Sequence, residues 1–256
     1  MPLAYPKNII KGLLTWSPIL RRKFGTGGML GPESARYSYS VWLRHLVAAH
    51  ESYPGFHQRV VAELGPGPSL GIGLAALLCG SDRYYAFDVE PYALHEQHLR
   101  IFDELVRMIR NREPIPGESE FPEATPRLTR YDFPRHILTD ELLARTLDAG
   151  RLDRIRRILS SGQHDPDLHV SYVAPWDNPE LIQPDSVDLI LSQAVLEHID
   201  DLEKTYRIMH HWLKPGGLMS HAIDFRSHGA ADRWNGHWRV FGLHLEDHAR
   251  PPRLLS

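Results

Sequence analysis

The chain has 256 residues, a net charge of -3 and an apolar fraction of 42%. That length suits one large α/β domain with additions, the charge gives no electrostatic case for nucleic acid as a partner, and no apolar run reaches the roughly 18 residues of a membrane span. Cys79 is the one cysteine, so no intrachain disulfide can form and a reducing, cytoplasmic compartment is expected.

Residues 1–59 read as an N-terminal helical extension. Its first part carries Lys7 and Lys11 among Ile9, Ile10, Leu13, Leu14 and Trp16, without the long apolar core and cleavage site of a secretory signal. Packing on the domain is favoured over lying on a membrane surface. From Ser38 to Leu46, Tyr39, Trp42, Leu43 and Leu46 share one face at helical spacing. The first strand is expected at about Arg59–Leu64, followed by a helix from about Ser69 to Gly80, where glycine suits a left-handed cap. Arg83–Asp88 is the second strand, and Pro91 suits the first position of the next helix. Leu94, His98, Ile101, Phe102, Leu105, Met108 and Ile109 hold one face of it. Residues 113–167 read as an insertion: a proline-rich stretch, then short helices near 139–148 and 151–160. The third strand is about His169–Val173. Ser186–Ser192 is nearly all apolar, as in a strand covered on both faces. Asp200 and Glu203 resemble a capping box for a helix that stacks Leu202, Tyr206, Met209 and Leu213, and Leu218–Phe225 is the fifth strand. Alternating strands and helices imply an α/β fold, a Rossmann-like parallel sheet with helices on both faces.

The chemistry is concentrated at Glu63-Leu64-Gly65-Pro66-Gly67, where an apolar strand runs into closely spaced glycines. Glycine lets the backbone approach a ligand, and Asp88, at the end of the next strand, is placed to accept from ribose hydroxyls. A nicotinamide fingerprint would need a third glycine at Leu70, and Gly71 comes one residue late. Pro66 and Pro68 also remove backbone donors that a pyrophosphate would use. A nicotinamide-dependent oxidoreductase is therefore the less favoured enzyme reading.

Downstream, Leu196-Glu197-His198 follows the fourth strand, and Lys214-Pro215-Gly216-Gly217 follows the next helix. Together with the Gly65 loop and Asp88, in this order, these segments make residues 60–225 resemble the class I S-adenosylmethionine-dependent methyltransferases of the small-molecule, Leu-Glu-His type. The resemblance implies S-adenosylmethionine as cofactor and methyl transfer to a small-molecule or saccharide-like acceptor, on oxygen or nitrogen. It implies that Gly65 and Gly67 pass their backbone against the methionine and ribose parts. Glu63 would help hold the amino group or, alternatively, fix the loop. Asp88 would take the ribose hydroxyls. Trp176 would stack on adenine and Asp177 would accept from its amine, unless Asp177-Asn178-Pro179 is a surface turn. Ser192 and Gln193 would line the pocket beneath the sulfonium.

His198 is the candidate general base, since neutral imidazole suits that role near pH 7; a histidine that merely packs a helix entry is the alternative. Seven of the 16 histidines lie between His210 and His248, but His221, Asp224 and His228 are a poor metal set, and no metal is expected. Arg145, Arg151, Arg154, Arg156 and Arg157 read as a solvated helix surface or, alternatively, as a lid for an anionic, phosphorylated or sugar-linked acceptor. Residues 226–256 are too few for the helix and two-stranded hairpin that complete the sheet in this family. The expectation is a missing C-terminal hairpin, which makes a catalytically silent cofactor-binding or scaffold protein the rival from another class.

Overall fold

A computed structural model describes residues 34–93 and 95–225. In chain order these form α1 (Ala35–Ser52), β1 (Val60–Leu64), α2 (Gly71–Leu78), β2 (Arg83–Phe87), α3 (His95–Arg110), α4 (Asp140–Thr146) and α5 (Ala149–Ser161). There follow β3 (His169–Val173), a 3-10 turn at Pro179–Leu181, β4 (Val187–Gln193), a second at Leu196–His198, α6 (Leu202–Trp212) and β5 (Leu213–Ala222). Every pairing is parallel and the strand order is β3-β2-β1-β4-β5. This is a Rossmann-like α/β sheet.

The two-residue alternation of strands sorts the core into two layers. Val61, Tyr84, Ala86, Leu189 and Leu191 face α1, α2, α3 and the insertion. Ala62, Leu64, Phe87, Val187 and Ile190 face α6 and the 3-10 turns. α1 is a core helix: Tyr39, Val41, Trp42, Leu43 and Leu46 are fully buried, and so are Arg44 and His45. Ser34 caps it by accepting from Tyr37 N–H at 3.1 Å. The Arg44 guanidinium donates to the carbonyls of Ala124 (2.7 Å) and Pro116 (2.9 Å), and Arg36 pairs with Glu113 (3.3 Å) and Glu120. The proline-rich part of the insertion is thereby fastened along α1.

Several expected boundaries move. α2 begins at Gly71, whose N–H is accepted by Ser69 Oγ at 3.1 Å. Gly80 sits at φ +119 just beyond its end. Pro91 lies ahead of α3 instead of inside it. Asp201, not Asp200, caps α6 by accepting from Lys204 N–H at 2.9 Å. The helix buries Thr205, Ile208, Met209 and Trp212, while the expected core residues Leu202 and Tyr206 are exposed. Trp212 decides this rotation: its ring stacks on Phe87 at 4.8 Å, and only the phase that includes it fills the space over β2. β5 begins at Leu213, opposite Val187, and then bulges, so that Leu189 pairs with Leu218. Gly216 takes φ +81 in that bulge. Lys214 Nζ meets Asp188 at 2.7 Å, and the other oxygen of Asp188 accepts from Val60 N–H at 2.8 Å. Among the described residues β5 pairs with β4 alone. The expected absence of a C-terminal hairpin falls on residues 226–256, outside those described. No described helix is long and apolar enough to cross a membrane.

Candidate functional site

In an open parallel sheet the ligand crevice lies beyond the carboxyl ends of the strands, where successive connections leave to opposite sides. Here that point is the junction of β1 with β2 and β4. Gly65 follows β1 at φ +67, its N–H donating to Phe87 O at 2.7 Å. A Cβ at Gly65 would overlap the Val195 side chain, so the turn lies tight against the segment that leaves β4. Gly67 is also left-handed, at φ +64, but a Cβ there would meet nothing within 4 Å. Its N–H donates to Asp88 Oδ2 at 3.2 Å, and Val89 N–H donates to Oδ1 at 2.9 Å. Asp88 is only 6% exposed, and burial raises its pKa against the pull of those two N–H groups. Each carboxylate oxygen has a further lone pair for a ligand hydroxyl. A glycine backbone bordering open space beside this carboxylate is what a nucleoside ribose needs, so these residues fit the implied cofactor.

The third glycine of the fingerprint is replaced by two others. A Cβ at Gly71 would overlap Ser38 Oγ on α1, and one at Gly73 would overlap the Tyr84 ring on β2. Close helix–strand packing, the structural duty of the third glycine, therefore falls to Gly73.

Tyr84 has a second partner. Its hydroxyl lies 2.5 Å from Glu63 Oε2, and Glu63 is 1% exposed. Burial, and then Asp88, raise the Glu63 pKa to about 8 although the Tyr84 bond opposes them. A neutral carboxyl buried under α2 ties β1 to β2. Its bond to Tyr84 is the arrangement of a residue that fixes the loop.

At the end of β4, Ser192 is fully buried with Oγ 2.8 Å from His221 Nδ1 on β5, and Gln193 Oε1 lies 3.2 Å from His45 Nε2 on α1. His45 Nδ1 reaches Ser220 Oγ at 2.6 Å. Burial lowers the pKa of His45 and His221 to about 4 each, so both are neutral at pH 7. His221 Nε2 is buried without a partner. Neither histidine was identified from the sequence as a site residue. The register Ser192↔His221 could have flagged His221 once the bulge was known; nothing local marks His45.

Trp176 is half-buried and packs on Phe87 and Trp212, each with ring centroids 5.8 Å apart, at the margin of the apolar cluster. Asp177 is 81% exposed and 3.8 Å from Lys204. Next to it, Asn178 caps the Pro179–Leu181 turn, which is the surface-turn alternative. His198 ends the Leu196–His198 turn and is exposed. Of the arginines read as a solvated surface or, alternatively, a lid, Arg154 pairs with Asp165 and Asp167 (2.5 and 2.8 Å), and Arg156 with Asp103 and Asp153 (2.9 and 2.8 Å). Arg157 Nε reaches only the Asp153 carbonyl, at 3.4 Å. A cavity of about 840 Å³ lies at the opposite, amino-terminal ends of β1 and β2, not in the crevice.

A family described as "Methyltransferase domain" matches residues 121–252. No curated protein matches. Among solved structures, the chain is similar to a SAM-dependent methyltransferase from Aquifex aeolicus at 14% identity, covering 94% of this chain and 92% of that one, with a TM-score of 0.39. It is also similar to a chain in the Haloferax volcanii complex of the Trm112 methyltransferase activator with a putative methyltransferase. There the identity is 16%, 84% of this chain covers 63% of that chain, and the TM-score is 0.36. A SAM-dependent methyltransferase from Thiobacillus denitrificans in complex with S-adenosyl-L-homocysteine aligns at 13% identity over 79% of this chain and 54% of that one, TM-score 0.36. The family match spans just over half of the chain and places it: this chain belongs to the methyltransferase domain family.

Proposed function

We propose that the crevice holds S-adenosylmethionine across the ends of β1, β2 and β4, and that the chain transfers its methyl group to the oxygen or nitrogen of a small-molecule or saccharide-like acceptor. The observation that carries this reading is the pairing of Gly67 N–H with Asp88 at 3.2 Å beside open space. Bound there, the cofactor supplies an electrophilic methyl carbon on a sulfonium.

The residues of the chain supply position and proton handling. Asp88 takes the ribose hydroxyls, and the Gly65–Gly67 backbone borders the ligand. Ser192 and Gln193, held from behind by His221 and His45, form the wall beneath the reacting centre. In-line displacement gains most from such alignment and from exclusion of water. His198 is exposed at the end of the turn after β4, where it can meet an acceptor and take its proton at an imidazole nitrogen. A reducing, cytoplasmic setting suits the single buried thiol, Cys79.

Calorimetric titration tests the site. Hydrogen bonds to a charged group weigh enough that Asp88→Ala should weaken S-adenosylmethionine binding by about 10- to 100-fold, while NADH should give no heat with the parent. Parent-like affinity in Asp88→Ala would refute the assignment. Cofactor binding with no release of S-adenosylhomocysteine across a panel of hydroxyl and amine acceptors would favour the silent, scaffold-like alternative.

A further inference from the structure

The 840 Å³ cavity is built from the ends of elements the proposed reaction does not use: the end of α1, the β1 approach, the end of α2 and the start of the α4–α5 pair. The five residues of β1 lie between Arg59, on its rim, and Gly65, so it stands about 20 Å from the cofactor turn. Its volume is that of an ordinary small-molecule site.

Its lining is cationic and incompletely bonded. Arg59 and Arg151 share Asp82, at 2.5 and 3.3 Å, and Arg145 has no ion-pair partner among the described residues. Three buried polar atoms of the lining lack any hydrogen bond: His50 Nε2, Thr146 Oγ1 and Arg151 Nε. Thr146 is 5% exposed, so water does not readily serve its hydroxyl. Buried polar atoms are nearly always paired, and three orphans around one cavity call for a ligand that accepts from them. Phe56, Ile137 and Leu142 supply an apolar wall.

The geometry points to a second ligand site here, for a phosphate monoester with an apolar body. A phosphate offers three acceptor oxygens to the arginine, threonine and imidazole donors, more than a carboxylate can, and arginine pairs with it by more than charge. The apolar wall takes the remainder of the ligand.

Phenyl phosphate is the probe, titrated calorimetrically into the whole chain at constant ionic strength, with phenol as the uncharged control. The expected result is saturable binding of phenyl phosphate and none of phenol. Arg145→Ala should weaken it by about tenfold or more, and Thr146→Val by about fivefold, both at unchanged melting temperature. Saturating S-adenosylhomocysteine should leave the affinity unaltered. Absence of binding, equal affinity in parent and Arg145→Ala, or displacement by S-adenosylhomocysteine would each overturn the proposal. Cofactor affinity measured in Arg145→Ala should equal that of the parent, so this proposal and the crevice assignment fail separately.

Discussion

Gly65 and Gly67 share a left-handed backbone but not an environment, and that difference can be measured. An L side chain in this region costs roughly 1–2 kcal/mol. Gly65→Ala adds overlap with Val195, whereas Gly67→Ala meets open space. Urea denaturation should therefore show Gly65→Ala less stable than Gly67→Ala by about 1–3 kcal/mol, the cost of overpacking. Equal losses would mean that the Val195 contact is not tight. Gly73 belongs with Gly65, because only the absence of its Cβ lets α2 settle on the Tyr84 ring. The spacing of Gly65 and Gly67 and the placement of Asp88 were legible in the sequence, because turn chemistry is local. Tyr84 as the partner of Glu63 was not, because that bond spans two strands joined only by the sheet.

Between elements, two buried polar contacts fasten the insertion to α1 and tie β1 to β2. Arg44 donates to the carbonyls of Ala124 and Pro116, and Pro116 also accepts from Ser40 Oγ at 2.8 Å. Arg44→Met would keep the packing and leave the Ala124 carbonyl unpaired, at about 1–3 kcal/mol. The expected loss is about 1–3 kcal/mol by chemical denaturation, and Arg44→Lys should not restore it, lacking the planar fork. Glu63 gives a pH signature. Its folded pKa, about 8, lies above the ordinary 4.5, so the native state binds the extra proton between those values. Its contribution to stability is complete below pH 4.5 and is lost as pH rises through 8. Glu63→Gln keeps a neutral partner for Tyr84, so the variant should gain on the parent from pH 4.5 to 8 and then level off. A difference curve flat with pH would mean that Glu63 titrates normally. α6 shows the limit of reading helices by periodicity. Leu202, Tyr206, Met209 and Leu213 form a good apolar stripe, yet the ring of Trp212 turned the helix onto a neighbouring face.

For the whole molecule, the sheet presents two ends with different chemistry: a crevice with a buried carboxylate where β1, β2 and β4 finish, and a cationic cavity where β1 and β2 begin. Its acid response follows from His45 and His221, buried neutral behind the crevice with pKa values near 4 against an ordinary 6.5. The unfolded chain binds those protons first, so their contribution is complete above pH 6.5 and is lost as pH falls through 4. His221→Gln should make thermal stability fall less steeply than in the parent over that range; an unchanged slope would show that His221 protonates freely in the fold. The sequence by itself determined the parallel α/β class, the glycine turn and its acidic neighbour, since strand alternation, glycine conformation and strand-end position are written within short windows. The tertiary structure alone decided that α1 is core, that His45 and His221 stand behind Gln193 and Ser192, that Trp176 packs on Phe87 and Trp212, and that Arg151, Arg154 and Arg156 bind nearby aspartates. Each of those outcomes depends on which distant segment occupies the adjoining volume, and close packing of the assembled sheet is what assigns it.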